Sequence, residues 1–120
     1  MTLKAASAPA PASPLGRISI SHDVVAHIVG RVAAEAYGVV DMASRKRLLT
    51  RDPLRQGVTV AGSGEDGVTI ELSVVVEHGL NLTEVASTLR NRVQYEVERL
   101  TGLRVAGVEV RIQDVRRSSA

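Results

Sequence analysis

Residues 68–82, Val68-Thr69-Ile70-Glu71-Leu72-Ser73-Val74-Val75-Val76-Glu77-His78-Gly79-Leu80-Asn81-Leu82, carry the reading on which the fold turns. Val68, Ile70, Leu72, Val74 and Val76 alternate with Thr69, Glu71, Ser73 and Val75, the two-residue period of a strand. After Glu77-His78-Gly79 the period changes. Leu82, Val85, Ala86, Leu89, Val93, Val97 and Leu100 recur at helical spacing and predict a helix from about Leu82 to Thr101. Asn81 is its N-cap, Glu84 three residues on gives a capping-box-like start, and Gly102 stops it. Val108, Val110 and Ile112 then alternate with Glu109, Arg111 and Gln113 in a last strand. Val105 is out of phase with them, which predicts a bulge near Ala106-Gly107. A strand–helix–strand unit of this kind crosses over right-handed and makes its two strands parallel.

Upstream, Val58 and Val60 precede the turn Gly62-Ser63-Gly64-Glu65-Asp66-Gly67, so the first long strand is the second arm of a hairpin. Farther back, Ile18 and Ile20 alternate with Arg17 and Ser19. Ser21 caps a helix running to about Tyr37, with Asp23 in its positive first turn. Val24/Val25, Ile28/Val29, Val32/Ala33 and Ala36 form its apolar face, Gly38 sits where a left-handed terminal residue belongs, and Val39-Val40 read as a short strand. The order is β-α-β-loop-β-β-α-β. Two helices with one apolar face each cover one face of a mixed sheet, giving a two-layer α/β (α+β) domain, with crossovers at both ends.

The folded domain spans residues 16–115. Residues 1–15 hold five Ala, three Pro and two Ser and too little large apolar surface to offset the entropy of ordering, so they read as a disordered tail, as do residues 116–120. The core is aliphatic: 19 Val, 11 Leu and 5 Ile stand beside two Tyr and no Phe or Trp. This excludes the aromatic platforms on which single-stranded nucleic acids stack. The absence of Cys excludes disulfides, thiol nucleophiles and thiolate metal sites. No window is apolar for the roughly 18 residues a spanning helix needs, and no signal-peptide pattern opens the chain, which points to the cytoplasm.

Candidate catalytic groups fail on spacing. The turn 62–67 matches G-x-G-x-x-G letter for letter, but a dinucleotide fingerprint must open a helix, and here a strand follows with Glu65 and Asp66 set to repel phosphate. His22 and His27 are five residues apart on one helix, roughly 140° around its axis, and cannot share a metal. Asp23 and His27 are spaced for a surface contact. His78 has no partner in the pattern, and Ser63 lacks a strand–turn–helix elbow. The reading is no catalytic, cofactor or metal site.

The strongest charge signal is Ser44–Arg55, where Arg45, Lys46, Arg47, Arg51 and Arg55 stand against Asp52 alone. With a net charge of +2 overall, this +4 segment leaves −2 on the rest of the chain. Three readings stay open: a solvated loop, a docking surface for an acidic partner or anionic membrane, and a phosphate-binding surface for nucleic acid. Separately, the sheet face turned from the helices carries Thr59, Thr69, Arg111 and Gln113 with Val75. A sheet with one uncovered face and free edges predicts a homo-oligomer.

Three groups of residues together resemble a known family. They are Gly16-Arg17-Ile18-Ser19-Ile20-Ser21 leading to Gly38-Val39; Val74 to Leu82 with Glu84-Val85-Ala86; and Val93, then Val97-Glu98-Arg99-Leu100-Thr101-Gly102-Leu103, with Val108-Glu109-Val110-Arg111-Ile112. In order and spacing they are similar to the alkaline shock protein family of bacterial envelope stress response proteins. The resemblance implies a non-enzymatic, self-associating cytoplasmic protein without cofactor, acting as scaffold or adaptor, with, for some members, a membrane-anchored protein partner. The rival is a small nucleic-acid-binding module using the basic loop 44–55. Reversing Arg45, Lys46 and Arg47 to Glu should keep the circular dichroism spectrum and weaken binding to an acidic partner or anionic vesicles, the difference shrinking as salt rises. Unchanged binding would reduce the segment to a connector.

Overall fold

The computed structural model of the chain describes residues 7–9, 15–16, 18–42, 57–63 and 66–117. Its elements are β1 (Ser7–Pro9), β2 (Ser19–Ser21), α1 (His22–Glu35), β3 (Val39–Met42), β4 (Val58–Ser63), β5 (Gly67–Glu77), α2 (Leu82–Thr101) and β6 (Val105–Arg116). Strand β5 organises the rest. Along one edge β6 runs parallel to it, from Val68 opposite Val105 to Glu77 opposite Arg116. The other edge is divided between two antiparallel strands: β4 takes Gly67 to Leu72 and β3 takes Val74 to Val76. The sheet is therefore mixed, as expected for a hairpin joined to a helical crossover.

The hairpin turn is tighter than the sequence reading, because Ser63 already pairs with Gly67. The bulge expected near Ala106-Gly107 is present: Val68 faces Val105, and Thr69 faces Gly107. A second irregularity lies between Val74/Ile112 and Val75/Asp114.

The expected crossover at the amino-terminal end does not form. β2 lies outside the main sheet and pairs antiparallel with β1, Ser7 opposite Ser21 and Pro9 opposite Ser19. The reason is local. Ser21 ends β2 and at once caps α1, its hydroxyl accepting from the Val24 N–H at 3.3 Å, so no length remains to reach the sheet. Ser7–Pro9 belongs to the stretch read as a disordered tail, and β6 continues one residue past the expected domain end to Arg116.

Both helices pack on the same face of the sheet around one core. Val25, Val29, Val32 and Ala33 come from α1; Val85, Leu89, Val93 and Val97 come from α2. They close over Val68, Ile70, Leu72, Val74 and Val76 of β5. The flanks of both predicted stripes stay outside: Val24, Leu82 and Leu100 are exposed, since a single sheet layer covers only the centre of each helical face. α1 also ends two residues early. Ala36 is extended, and Gly38, at φ +88°, makes the turn into β3, where a Cβ would stand 2.9 Å from Leu80 Cδ1.

α2 begins at Asn81, whose Oδ1 accepts from the Glu84 N–H at 3.0 Å, and ends at Gly102 in the left-handed conformation. Its last turn is tied to β6. The Val105 N–H donates to Glu98 Oε2 at 3.0 Å, and Thr101 Oγ1 accepts from the Leu103 N–H at 3.1 Å. Two outcomes follow for chemical denaturation. Leu72→Ala should cost about 2–5 kcal/mol, the loss of a fully buried Leu plus the cavity left behind. Glu98→Ala should cost about 1–3 kcal/mol by stranding a partly buried N–H, with Glu98→Gln recovering much of it through its amide oxygen.

Candidate functional site

The structure sets two of the sequence-selected histidines on α1 and the third just after β5. His22 opens α1, half-buried, with its Nε2 shielded and without a hydrogen-bond partner among the described residues. His27 faces solvent on α1, beside a groove shared with Arg92, Glu96 and Arg99 of α2. His78 is exposed in the turn after β5, and its N–H donates to the Arg116 carbonyl at 2.7 Å. Among the described residues, no group of three or more His, Asp or Glu is placed to hold a metal ion. Arg45, Lys46, Arg47, Arg51 and Arg55, with the rest of the basic segment 44–55, lie outside the described residues.

The structure builds a different feature, which the sequence reading named only generically: the long edge of β6 and the surfaces on either side of it. On the sheet face turned from the helices, Arg111 is clamped by two carboxylates. Its Nε donates to Glu109 Oε2 at 2.8 Å, and its Nη2 lies 2.9 Å from Glu71 Oε1 of β5. The hydrogen bond to Glu109, reinforced by the charges of Glu109 and Glu71, raises the guanidinium above the ordinary arginine range. Nearby, Arg116 Nη1 meets Asp41 Oδ2 at 3.1 Å, joining β6 to β3 across the end of β5. These pairs are solvated and worth little to stability. Their consequence is positional: Arg111 and Glu109 are held upright on the outer face of the last strand.

On the helix side, the half-buried Val108, Val110 and Ile112 of β6 face Leu82, Ala86 and Arg90 of α2 across an open groove of about 410 Å³. Leu82, 39% exposed, and Ala86 make its apolar shoulder. Between groove and charged face runs the strand edge itself. Among the described residues, no strand pairs with that edge of β6.

The main-chain phase of the edge follows from the register. Val68 N–H donates to the Arg104 carbonyl and His78 N–H to the Arg116 carbonyl, so the even-numbered residues of β5 turn their main-chain groups toward β6. In a parallel ladder each such residue bonds the two neighbours of its register partner. Gly107, Glu109 and Arg111 are therefore turned to β5, while Val108, Val110 and Ile112 present their N–H and C=O groups outward. The sequence signal for this edge was the opposite charge of Glu109 and Arg111 on the polar side of the final strand.

No helix among the described residues is long and apolar enough to cross a membrane. The comparisons with known proteins agree with one another. A family model described as "Asp23 family, cell envelope-related function" (a family name, unconnected with residue Asp23) matches residues 11–117. The uncharacterized protein YloU of Bacillus subtilis is 33% identical over 108 residues, covering 84% of this chain and 89% of the relative. Uncharacterized protein Spy1614 of Streptococcus pyogenes is 32% identical over 108 residues, covering 84% and 88%. A stress response regulator gls24 homolog of Streptococcus pyogenes is 24% identical over 107 residues, covering 84% of this chain and 59% of its own length. No solved structure matches the chain. With nearly its whole length matched, and in keeping with its resemblance to the alkaline shock proteins, the chain belongs to the Asp23 family of cell envelope-related proteins.

Proposed function

We propose that this chain is a non-enzymatic envelope stress protein that works in the cytoplasm as a scaffold or adaptor. It acts by protein–protein contact, as a homo-oligomer and through a membrane-anchored protein partner at the inner face of the cell membrane. The observation that carries the reading is the twelve-residue β6, which among the described residues has no strand along its outer edge and is flanked by a groove with Val108, Val110 and Ile112 along one wall, in a chain of an envelope-related family. Main-chain donors and acceptors in a row, beside half-buried Val and Ile, are chemistry suited to another polypeptide rather than to a small substrate. The family and the stress-regulator name of one relative support the cellular setting.

The test uses inverted membrane vesicles from the cells that make the protein. Purified chain should bind them at micromolar concentration, and stripping the vesicles with trypsin should abolish binding, because the receptor is a protein. Retained binding to stripped vesicles that depends on anionic lipid would replace the protein partner with the membrane surface. Failure to bind, together with RNA or DNA binding that weakens by about 0.9 log units per log salt for each duplex phosphate neutralised, would establish the nucleic-acid reading instead.

A further inference from the structure

We propose that the occupant of the β6 edge is a second copy of this chain, its β6 antiparallel to the first across a two-fold axis through Val110. The inference rests on the proposed reading of the chain as a homo-oligomer, and it names the interface and its register.

Antiparallel pairing of a strand with its own copy allows only a few registers, and the charges on β6 discriminate among them. The outward main-chain groups belong to Val108, Val110 and Ile112. With the axis at Val110, Val110 meets its counterpart, Val108 meets Ile112 of the second copy, and Ile112 meets Val108. All are hydrogen-bonded pairs. The intervening pairs are those in which side chains approach most closely, and they set Glu109 opposite Arg111 of the second copy, twice. Moving the axis by one residue reverses this. An axis at Glu109 puts Glu109 against Glu109, and one at Arg111 puts Arg111 against Arg111, like charges directly opposite. The Val110 register is the one among these three that is self-complementary.

Both faces of the edge are prepared for it. On the outer side Arg111 is already held between Glu109 and Glu71, so a second Glu109–Arg111 pair completes an alternating cluster across the axis. On the helix side Val108, Val110 and Ile112 remain half-buried in the open groove, with Leu82 and Ala86 at its rim. A second copy brings its own Val108, Val110 and Ile112 alongside and closes that groove with apolar surface. Such an interface is isologous and closes at two copies, leaving the opposite edge of each sheet, β3 and β4, outside it.

The experiment is a charge complementation. Wild type should sediment as a dimer at micromolar concentration. Glu109→Arg alone places arginines face to face, and Arg111→Glu alone places glutamates face to face. Each variant should weaken dimerisation roughly tenfold or more while keeping its circular dichroism spectrum. Mixing the two should restore a dimer containing one chain of each, because both facing pairs then join an arginine of the first variant to a glutamate of the second. Wild type that is monomeric, single variants that stay fully dimeric, or a mixture that stays monomeric would each overturn the proposal. Should either variant lose its fold, Val110→Cys decides. The chain has no cysteine, and two copies of position 110 would stand about 5.5 Å apart at Cα, within disulfide range. Oxidation should link Val110→Cys into a covalent dimer and leave Val108→Cys unlinked; the absence of that difference would also overturn it. Vesicle binding by the monomeric variants separates the two hypotheses, since a membrane partner can be retained when self-pairing is lost.

Discussion

Strand β5 is saturated on three sides, and the rest of the molecule is arranged by that condition. Its inner side chains Val68, Ile70, Leu72, Val74 and Val76 are buried under both helices. Its main-chain groups are paired along both edges, with β6 on one and β3 with β4 on the other. A strand buried this completely has no alternative partner to exchange for, because any shift by one residue would turn five aliphatic side chains to the polar face. The helices inherit their positions from it. α2 crosses from the end of β5 to the start of a parallel β6, and α1 fills the space beside α2 over β3 and β4.

The same arrangement pushes incompleteness to the periphery. With β5 fully paired, unpaired main chain is displaced onto the outermost strands, and β6 is the longest strand of the sheet. α2 shields β6 only in part, leaving Val108, Val110 and Ile112 half-buried and Leu82 exposed. Soluble proteins guard such edges with charge, and β6 does carry Glu109, Arg111, Asp114 and Arg116. These charges alternate in sign along the strand. Glu109 and Arg111 flank Val110 with opposite sign, so copies paired about Val110 bring these unlike charges together, whereas copies paired about Glu109 or Arg111 bring like ones together.

The charged groups described on this surface are engaged with one another. The carboxylates of Glu71 and Glu109 are engaged by Arg111 in solvent, and ion pairing lowers the pKa of Glu96 and raises those of Arg99 and Arg111. The relation to the envelope-related Asp23 family and to a stress response regulator homolog therefore meets a structure whose notable chemistry is main-chain and aliphatic, at an edge.

Much of this was legible in the sequence because it depends on short-range physics. The two-residue period of residues 68–76, the helical period after Asn81, the caps at Ser21, Asn81 and Gly102, and the bulge announced by Val105 are each set by residues within a few positions of one another. So is the parallel β5–β6 pair, since one helix between two strands admits that handed crossover and little else. What the sequence left open was competition for edges. Ile18 and Ile20 carry a strand pattern, yet β2 pairs with β1 outside the main sheet, because Ser21 turns at once into α1. Val24, Leu82 and Leu100 share helical faces with buried neighbours, yet stay outside because the layer beneath them is too narrow. The outer edge of β6 has the same origin: alternation reveals which side chains face the core, but only the assembled sheet decides which of the described strands stand at its edges.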